Sequence, residues 1–164
     1  MTTQTISPSS APATALKPRM DHWSVAPALM QGLLDLQQVA DSAGIERSLH
    51  FLLTLRVSQI NGCAFCMNMH SAEAKAHGES DRRLFLLSAW HETNLFSPRE
   101  RAALNWAEVL TRLPGGHVSD ADFAAMRAEF SEFEIAAVTL AIATINAWNR
   151  FGVGMRPSIE PAVK

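Results

Sequence analysis

The sequence predicts an all-α protein, a small bundle of about six to seven helices. Apolar residues recur at spacings of three and four along most of residues 27–148, which is the period of an amphipathic helix. No window alternates with a period of two for long enough to indicate a strand. Capping boxes at Ser97 and Ser131 mark two helix starts without ambiguity. A length of 164 residues favours one domain.

The first three helices occupy the N-terminal half of the chain. The first begins at Pro27, because proline suits a first helical position, and extends to Gly44. The second covers residues 46–59, where leucines are so dense that most of its surface must be buried. It breaks at Asn61, which is also the expected N-cap of a third helix that stops at Gly78.

Four more helices follow. The fourth covers residues 80–91, and the fifth starts at Ser97 and ends before a Pro-Gly-Gly break. A short sixth opens at Ser119, and a seventh runs from Ser131 through Trp148. The seventh helix is apolar on most of its sides, which is typical of a helix at the centre of a bundle or in a subunit interface.

The composition divides the chain into three parts. Residues 1–19 are rich in Ser, Thr, Pro and Ala and predict a flexible arm, because they hold too little apolar surface for a core. Residues 20–151 form the predicted helical domain, and residues 152–164 the predicted C-terminal tail. Only 18% of the residues are charged, against about 25% in an average domain, so we expect surface to be buried in a homo-oligomer.

Charge and hydropathy exclude several classes of function. A net charge of -2 and a pI near 6.3 provide no electrostatic footprint for nucleic acid or for an anionic membrane. There is no run of about 18 apolar residues and no secretory leader, so we expect a cytoplasmic protein. No glycine-rich turn follows a strand, and no cofactor motif is present, so no bound cofactor is expected.

Chemistry is concentrated in one stretch, Cys63 to His70. At about 100° per residue, Cys63, Cys66 and His70 fall on one stripe of a helix. A thiol near a helix start and beside an imidazole is easily ionised, and a second thiol three residues away can form a disulfide with it. Two other interpretations stay open: half of a structural zinc site, and two core thiols with a chance histidine.

The run from Leu55 to His70, LRVSQINGCAFCMNMH, is closed by Gly78-Glu79. It resembles the core motif of the AhpD-like alkylhydroperoxidases, within the carboxymuconolactone decarboxylase superfamily, and the likeness is close over residues 49–80. The resemblance implies an all-helical bundle that assembles into dimers, trimers or hexamers. It also implies that Cys66 meets the peroxide, that Cys63 resolves the product, and that His70 belongs to the proton relay.

The chain departs from that pattern in the relay. Where members of the family carry a glutamate twelve residues before the first cysteine, this chain has Phe51. His50 points about 100° away from that position and Glu46 about 140° away, so neither replaces the carboxylate on an ideal helix. Glu73, one turn after His70, is a candidate to orient the imidazole, although an exposed carboxylate is the more ordinary expectation.

The resulting hypothesis is a thiol-dependent peroxidase that acts on a hydroperoxide. An external dithiol, on a thioredoxin-like or lipoyl-bearing protein, would reduce the disulfide between Cys63 and Cys66. The alternatives are a dithiol-disulfide oxidoreductase with little peroxidase activity, an enzyme that acts like a carboxymuconolactone decarboxylase, and a non-enzymatic oligomeric helical module. The last is motivated by Phe51 in the relay position.

The other notable side chains favour structural roles. His22, His91 and His117 belong to no motif, so a surface or loop position is expected for each. Arg56 follows an apolar run and is expected in a buried ion pair. The tryptophans and methionines lie at helical spacings and are expected in the core.

The CxxC hypothesis predicts a defined product. Peroxide treatment of the reduced protein should lower its mass by two hydrogen atoms, because Cys63 and Cys66 become joined. Peptide mass spectrometry should locate that link between the two cysteines. Free thiols that persist under peroxide would contradict the hypothesis.

Overall fold

The computed structural model describes residues 16–113 and 116–159, and it confirms the all-α prediction. That part of the chain contains eight α-helices, one 3-10 helix and no strand. All seven predicted helices are present, with the fourth split into an α-helix and a 3-10 helix, and a short helix precedes them. The elements are α1 (His22–Val25), α2 (Pro27–Asp41), α3 (Arg47–Asn61), α4 (Ala64–Ala76), α5 (Asp81–Leu86), the 3-10 helix (Leu87–Glu92), α6 (Pro98–Arg112), α7 (Asp120–Glu129) and α8 (Glu132–Met155).

The connection between α3 and α4 is tighter than the sequence predicts. Asn61 is the last residue of α3 and not the N-cap of α4, so that prediction is wrong. Gly62 turns the chain in a left-handed conformation, with φ 66° and ψ 29°, which glycine adopts without a steric penalty. The reversal is therefore complete within one residue, and Cys63 becomes the N-cap of α4.

The last helix is longer than the sequence predicts. α8 continues to Met155, so four residues that composition places in the tail are helical. The N-terminal segment supports this end, since Arg19 N donates to Met155 O at 2.9 Å and Arg19 Nη1 donates to Gly154 O at 3.0 Å. The division of the chain into arm, domain and tail stays a prediction, and residues 1–15 of the arm lie outside the described residues.

Capping fixes the starts of the two longest C-terminal helices. The hydroxyls of Ser97 and Ser131 each accept a hydrogen bond from the backbone N–H three residues later. The side chains of Glu100 and Glu134 in turn accept a hydrogen bond from the backbone N–H of the cap residue. Both predicted capping boxes are confirmed. At the second box, hydrogen bonds from the backbone and hydroxyl of Ser131, followed by the bond from Arg99, lower the pKa of Glu134 to about 2.

α3 lies at the centre of the bundle, as its dense leucines predict. It packs against α4, α6 and α8, and nine of its residues are buried. α8 packs against α2, α3, α4, α6 and α7. Within the described residues, no helix is both long and apolar enough to cross a membrane.

Two clusters of buried residues form the core. One core cluster joins α3 to α6, α7 and α8, and includes Leu49, Leu53, Val57, Trp106, Val138, Ile142 and Ile145. The other joins α3 to α4, α5, the 3-10 helix and α6, and includes Phe51, Leu52, Leu55, Leu84, Leu87, Trp90 and Leu104.

α2 has an apolar outer face that the monomer does not cover. Leu29 and Val39 are well exposed, and Leu36 is partly so. A homo-oligomer stays a prediction, and this face is a surface that such an assembly could bury.

Arg56 forms the buried ion pair that the sequence predicts. Its Nε donates to Glu108 Oε1 at 2.8 Å, and Trp90 Nε1 donates to the same oxygen at 2.8 Å. Arg112 pairs with the other carboxylate oxygen. Burial alone raises the pKa of Glu108, but the bonds from Trp90 and Arg56 outweigh it and hold the pKa below its ordinary value.

Loss of this buried pair should destabilise the fold. Arg56→Met keeps most of the side-chain volume but leaves the Glu108 carboxylate buried without its main cation, so we expect a loss of about 3 kcal/mol in the free energy of unfolding. Urea denaturation measures it. Arg127→Met is the control, because it removes an exposed pair with Glu132 and should cost less than about 1 kcal/mol. Equal losses in the two variants would contradict the assignment.

Candidate active site

The two cysteines meet at the turn between α3 and α4. Cys63 caps α4, Cys66 lies in its first turn, and their sulfur atoms are joined as a disulfide. Cys63 N donates to Ser58 O at 3.0 Å, and Cys63 Sγ accepts from Cys66 N at 3.3 Å. Only 1% of Cys63 and 3% of Cys66 is exposed. The redox pair is therefore built into the bundle and not displayed on its surface.

An amide network attaches this turn to α8. Asn61 Nδ2 donates to the side-chain oxygens of Asn146 and Asn149, both at 2.9 Å. Asn149 is fully buried and donates to Ser58 Oγ at 3.1 Å, while Arg150 donates to Asn61 Oδ1 at 2.8 Å. The last turn of α3, which leads directly into Cys63, is thus fixed relative to α8.

His70 follows Cys66 by one helical turn and is 8% exposed. Its Nδ1 lies 2.9 Å from Glu73 Oε2. The carboxylate favours the tautomer that carries the proton on Nδ1, which leaves Nε2 as the basic nitrogen. Nε2 is buried and has no hydrogen-bond partner within the described residues. The imidazole is consequently oriented at one nitrogen and open at the other.

Glu73 is both a partly exposed carboxylate and a partner of the imidazole. Its side chain is 45% exposed, and the bond from His70 lowers its pKa, with smaller contributions from the charges of His50 and Arg47. From the sequence, an exposed carboxylate and a partner of His70 are alternatives, and Glu73 is both. The carboxylate that orients His70 comes from α4 itself.

Position 51 on α3, where the family resemblance places a glutamate, holds a phenylalanine that packs in the core. Phe51 is buried in the second core cluster, and its ring centroid lies 4.7 Å from that of His77. His50 is largely buried, and burial lowers its pKa below the ordinary histidine value. Its ion-pair partner among the described residues is Asp41, at 3.4 Å.

A cavity of about 510 Å³ lies beside the redox pair. Cys66, His70, Glu73 and His50 line it, whereas Cys63 is not among its lining residues. Most of the remaining wall is aromatic or aliphatic. Its members include Trp23, Leu34, Ile45, Phe51, Phe65, Met69, Ile145, Trp148 and Phe151. The arrangement offers one sulfur atom and one imidazole to an apolar ligand.

Gly152 makes room for the sulfur atoms. A Cβ atom at this position would collide with Cys63 Sγ and lie 3.1 Å from Cys66 Sγ, whereas a Cβ at Gly154 would meet open space. The sequence places Gly152 in the tail and does not identify it as part of the site. A glycine inside a helix is the signal that could have marked it, since such a glycine costs stability relative to alanine and often has a packing or functional reason.

One of the three histidines outside the motif is buried, so its predicted surface position is wrong. His22 is 7% exposed, lines the cavity, and lies with its ring centroid 5.4 Å from that of Phe151. The physical reason is the anchoring of the N-terminal segment to the end of α8. His91 and His117 are exposed, as predicted. No group of three His, Cys, Asp or Glu in the described part of the chain is arranged to hold a metal ion.

A match to a family model identifies the family to which this chain belongs. The model of the carboxymuconolactone decarboxylase family matches residues 27–109, half of this chain. The chain belongs to the carboxymuconolactone decarboxylase family. Its resemblance extends over most of the length of the uncharacterized protein YdfG of Bacillus subtilis strain 168, with 36% identity over 137 residues, 84% of this chain and 93% of that protein.

Solved structures of this family share the fold. ATU0492 from Agrobacterium tumefaciens, a protein of unknown function proposed to be the antioxidant defence protein AhpD, superposes with a TM-score of 0.85 and 37% identity over 90% of this chain and all of that chain. A peroxidase-related protein with an alkylhydroperoxidase AhpD core, from Ralstonia eutropha JMP134, superposes with a TM-score of 0.72 over 83% of this chain and 74% of that chain. At 20% identity, the second shows the fold alone. This member of the carboxymuconolactone decarboxylase family thus has an AhpD-like fold.

The contact of Gly152 with the sulfur atoms predicts a specific penalty. Gly152→Ala should lower the free energy of unfolding of the oxidised protein by about 1 to 3 kcal/mol, because the new methyl group overpacks the disulfide. Gly154→Ala, in the same helix, should raise it by up to about 1 kcal/mol, because alanine favours a helix. Urea denaturation measures both. A Gly152→Ala protein as stable as Gly154→Ala would show that the site has room to spare.

Proposed function

We propose that the protein is a thiol-dependent peroxidase that reduces an organic hydroperoxide through the Cys63–Cys66 dithiol/disulfide cycle. One arrangement of side chains carries the proposal. Cys66 lines a mainly apolar cavity, His70 lies one turn away with an orienting carboxylate, and Cys63 is bonded to Cys66. The elements of an activated thiol and a resolving thiol are thus in one place.

The first step is ionisation of the reduced Cys66. The thiol proton passes to Nε2 of His70, the nitrogen that Glu73 leaves as the base. The first turn of α4 also favours the anion, because its unpaired backbone N–H groups carry a partial positive charge. Within the described residues, the one backbone N–H that bonds to a sulfur atom, that of Cys66, donates to Cys63 Sγ, so the imidazole is the activator specific to Cys66.

The second step is attack on the peroxide. The Cys66 thiolate takes the terminal oxygen of ROOH, so an S–O bond forms while the O–O bond breaks. The electron pair of the broken bond leaves on RO⁻, which takes a proton from the His70 imidazolium. The products are ROH and Cys66 sulfenic acid. The sulfur is oxidised and the peroxide is reduced by two electrons.

The third step closes the disulfide. The thiol of Cys63 attacks the sulfenic sulfur of Cys66, and the hydroxyl leaves as water with the thiol proton. The product is the linked pair seen in the structure. An external dithiol then reduces the disulfide by thiol exchange and is itself oxidised; a thioredoxin-like or a lipoyl-bearing protein is the proposed source.

Glu73 compensates for the missing carboxylate on α3. With Phe51 in the relay position, orientation of the imidazole depends on the contact between His70 and Glu73 at 2.9 Å. Because both residues lie on α4 three positions apart, the contact survives any adjustment between helices. The unusual residue at position 51 therefore does not remove the relay in this proposal.

A dithiol-disulfide oxidoreductase with little peroxidase activity is the second candidate. The disulfide between Cys63 and Cys66 favours it directly, since the pair cycles in either reaction. Burial of both sulfur atoms favours a small or flexible partner thiol, both in this reaction and in the recycling step of the peroxidase. A decarboxylase-type reaction and a non-enzymatic module have no support in a redox pair that faces a cavity.

The roles of the two cysteines predict different defects. In an assay of cumene hydroperoxide with a small dithiol, Cys66→Ser should fall to the dithiol blank, because it removes the attacking sulfur. Cys63→Ser should form a sulfenic acid on Cys66 that dimedone traps, because nothing resolves it. Wild-type turnover no greater than the blank would reject the peroxidase and leave disulfide exchange as the reaction to assay.

The role of Glu73 predicts a kinetic defect. Glu73→Gln should lower kcat/KM by about tenfold or more, because the imidazole loses its orienting charge. The pKa of Glu73 lies below its ordinary 4.5, so its contribution is present above that pH and is lost as the pH falls through the lowered value. The defect should therefore be constant between roughly pH 5 and 8.

The matched control for this defect is Glu132→Gln, which removes an exposed carboxylate of α8 that pairs with Arg127. It should leave kcat/KM unchanged. Equal rates for Glu73→Gln and Glu132→Gln would remove Glu73 from the relay.

A further inference from the structure

The buried imidazole of His22 lies in the wall of the cavity, and the proposed mechanism does not use it. His22 lines the same cavity as Cys66 and His70. Its Nδ1 is buried and has no hydrogen-bond partner within the described residues. An unsatisfied buried polar atom destabilises the fold, and native structures contain few of them. A ligand that supplies the missing partner would account for its position.

The position of His22 is fixed from both sides. Asp21 caps α1, and its Oδ1 accepts from Trp23 N at 3.1 Å and from Ser24 N at 3.3 Å. Two residues earlier the segment is bound to the end of α8 through Arg19. The imidazole is therefore held in place by the fold and is not a side chain that swings in solvent.

His22 packs against the end of α8 and lines the cavity from that side. Its ring packs on Phe151, and the next residue, Gly152, is the one whose missing side chain leaves space beside Cys66 Sγ. His70 approaches the cavity from α4. α1 and α4 thus bring two imidazoles, each with one ring nitrogen unpaired within the described residues, to the same cavity.

The wall around His22 restricts the kind of ligand. Trp23 stacks on Trp148 with centroids 5.9 Å apart, and both line the cavity. Trp148 Nε1 is already bonded to Gln37 at 3.0 Å, so it has no donor left for a ligand. On this side the cavity offers mostly aromatic surface, a Gln37 amide that is bonded to both Trp148 and Asp41, and the imidazole of His22 with its unpaired nitrogen. That combination suits an apolar molecule with a single oxygen to bond.

We propose that His22 Nδ1 is the hydrogen-bond partner of the oxygen atom of an apolar ligand in this cavity. Where the ligand is a hydroperoxide, which rests on the function proposed above, the bond is made to the RO oxygen that leaves. Nδ1–H donates to that oxygen as its negative charge develops, while the proton that completes ROH comes from His70. His22 itself neither gains nor loses a proton.

Two ligands that differ by one hydroxyl group test this bond without any turnover. The probes are 2-phenylpropan-2-ol and isopropylbenzene, and their dissociation constants for the disulfide form are read from tryptophan fluorescence, since Trp23 and Trp148 line the cavity. In His22→Phe the ratio of alcohol affinity to hydrocarbon affinity should fall about fivefold from its wild-type value. Hydrocarbon affinity should change less than about twofold.

Exposed His91 provides the control. His91→Phe should keep the wild-type ratio, because His91 is not among the residues that line the cavity. A folded His22→Phe protein with an unchanged ratio would overturn the proposal.

A wild-type measurement covers the case in which His22→Phe does not fold. In ¹⁵N NMR of the imidazoles, the alcohol should shift the Nδ1 resonance of His22 and the hydrocarbon should not. Equal responses to the two probes would overturn the proposal. If wild type fails to consume hydroperoxide but shows the alcohol-specific shift, the peroxidase falls and the binding role of His22 stands. Turnover of hydroperoxide without that shift would overturn the binding role of His22 and leave the peroxidase standing.

Discussion

The attachment of the α3–α4 turn to α8 is the constraint on which the site depends. Asn61 and Asn149 bond to each other across the two helices, and Asn149 is also bonded to Ser58. Asn149 and Ser58 are fully buried, so their polar groups would be costly to leave unpaired there. Because α8 is fixed against the turn, Gly152 lies directly beside the sulfur atoms of the redox pair.

Reactivity and recognition come from different parts of this arrangement. In the proposed mechanism, ionisation of Cys66 uses its own helix, since His70 and Glu73 follow it at one-turn spacings on α4. The cavity is assembled from several helices, and its aromatic wall lies on α1, α3, α4 and α8. The residues of the proposed relay lie on one helix, whereas the aromatic wall comes from several. Substitutions in the wall can therefore change which ligand binds without disturbing the proposed relay.

Phe51 shows how the carboxylate requirement is met elsewhere. Its ring belongs to the second core cluster and also lines the cavity, so this position supplies apolar surface. Glu73 has one side in water and bonds to His70 with the other, so a carboxylate reaches the imidazole without occupying position 51. The family model matches residues 27–109, so α1 and α8, which carry His22 and Gly152, lie outside the matched range.

The sequence by itself determined the helices, two capping boxes and the stripe of Cys63, Cys66 and His70, because each depends on residues within two turns of one another. Sequence reasoning named Glu73 for the same reason, and the structure supplied its contact with His70. Only the tertiary structure decided that His22 is buried and that Gly152 faces the sulfur atoms. Those positions follow from contacts such as Arg19 to Gly154, which join residues 135 positions apart and leave no local pattern in the sequence.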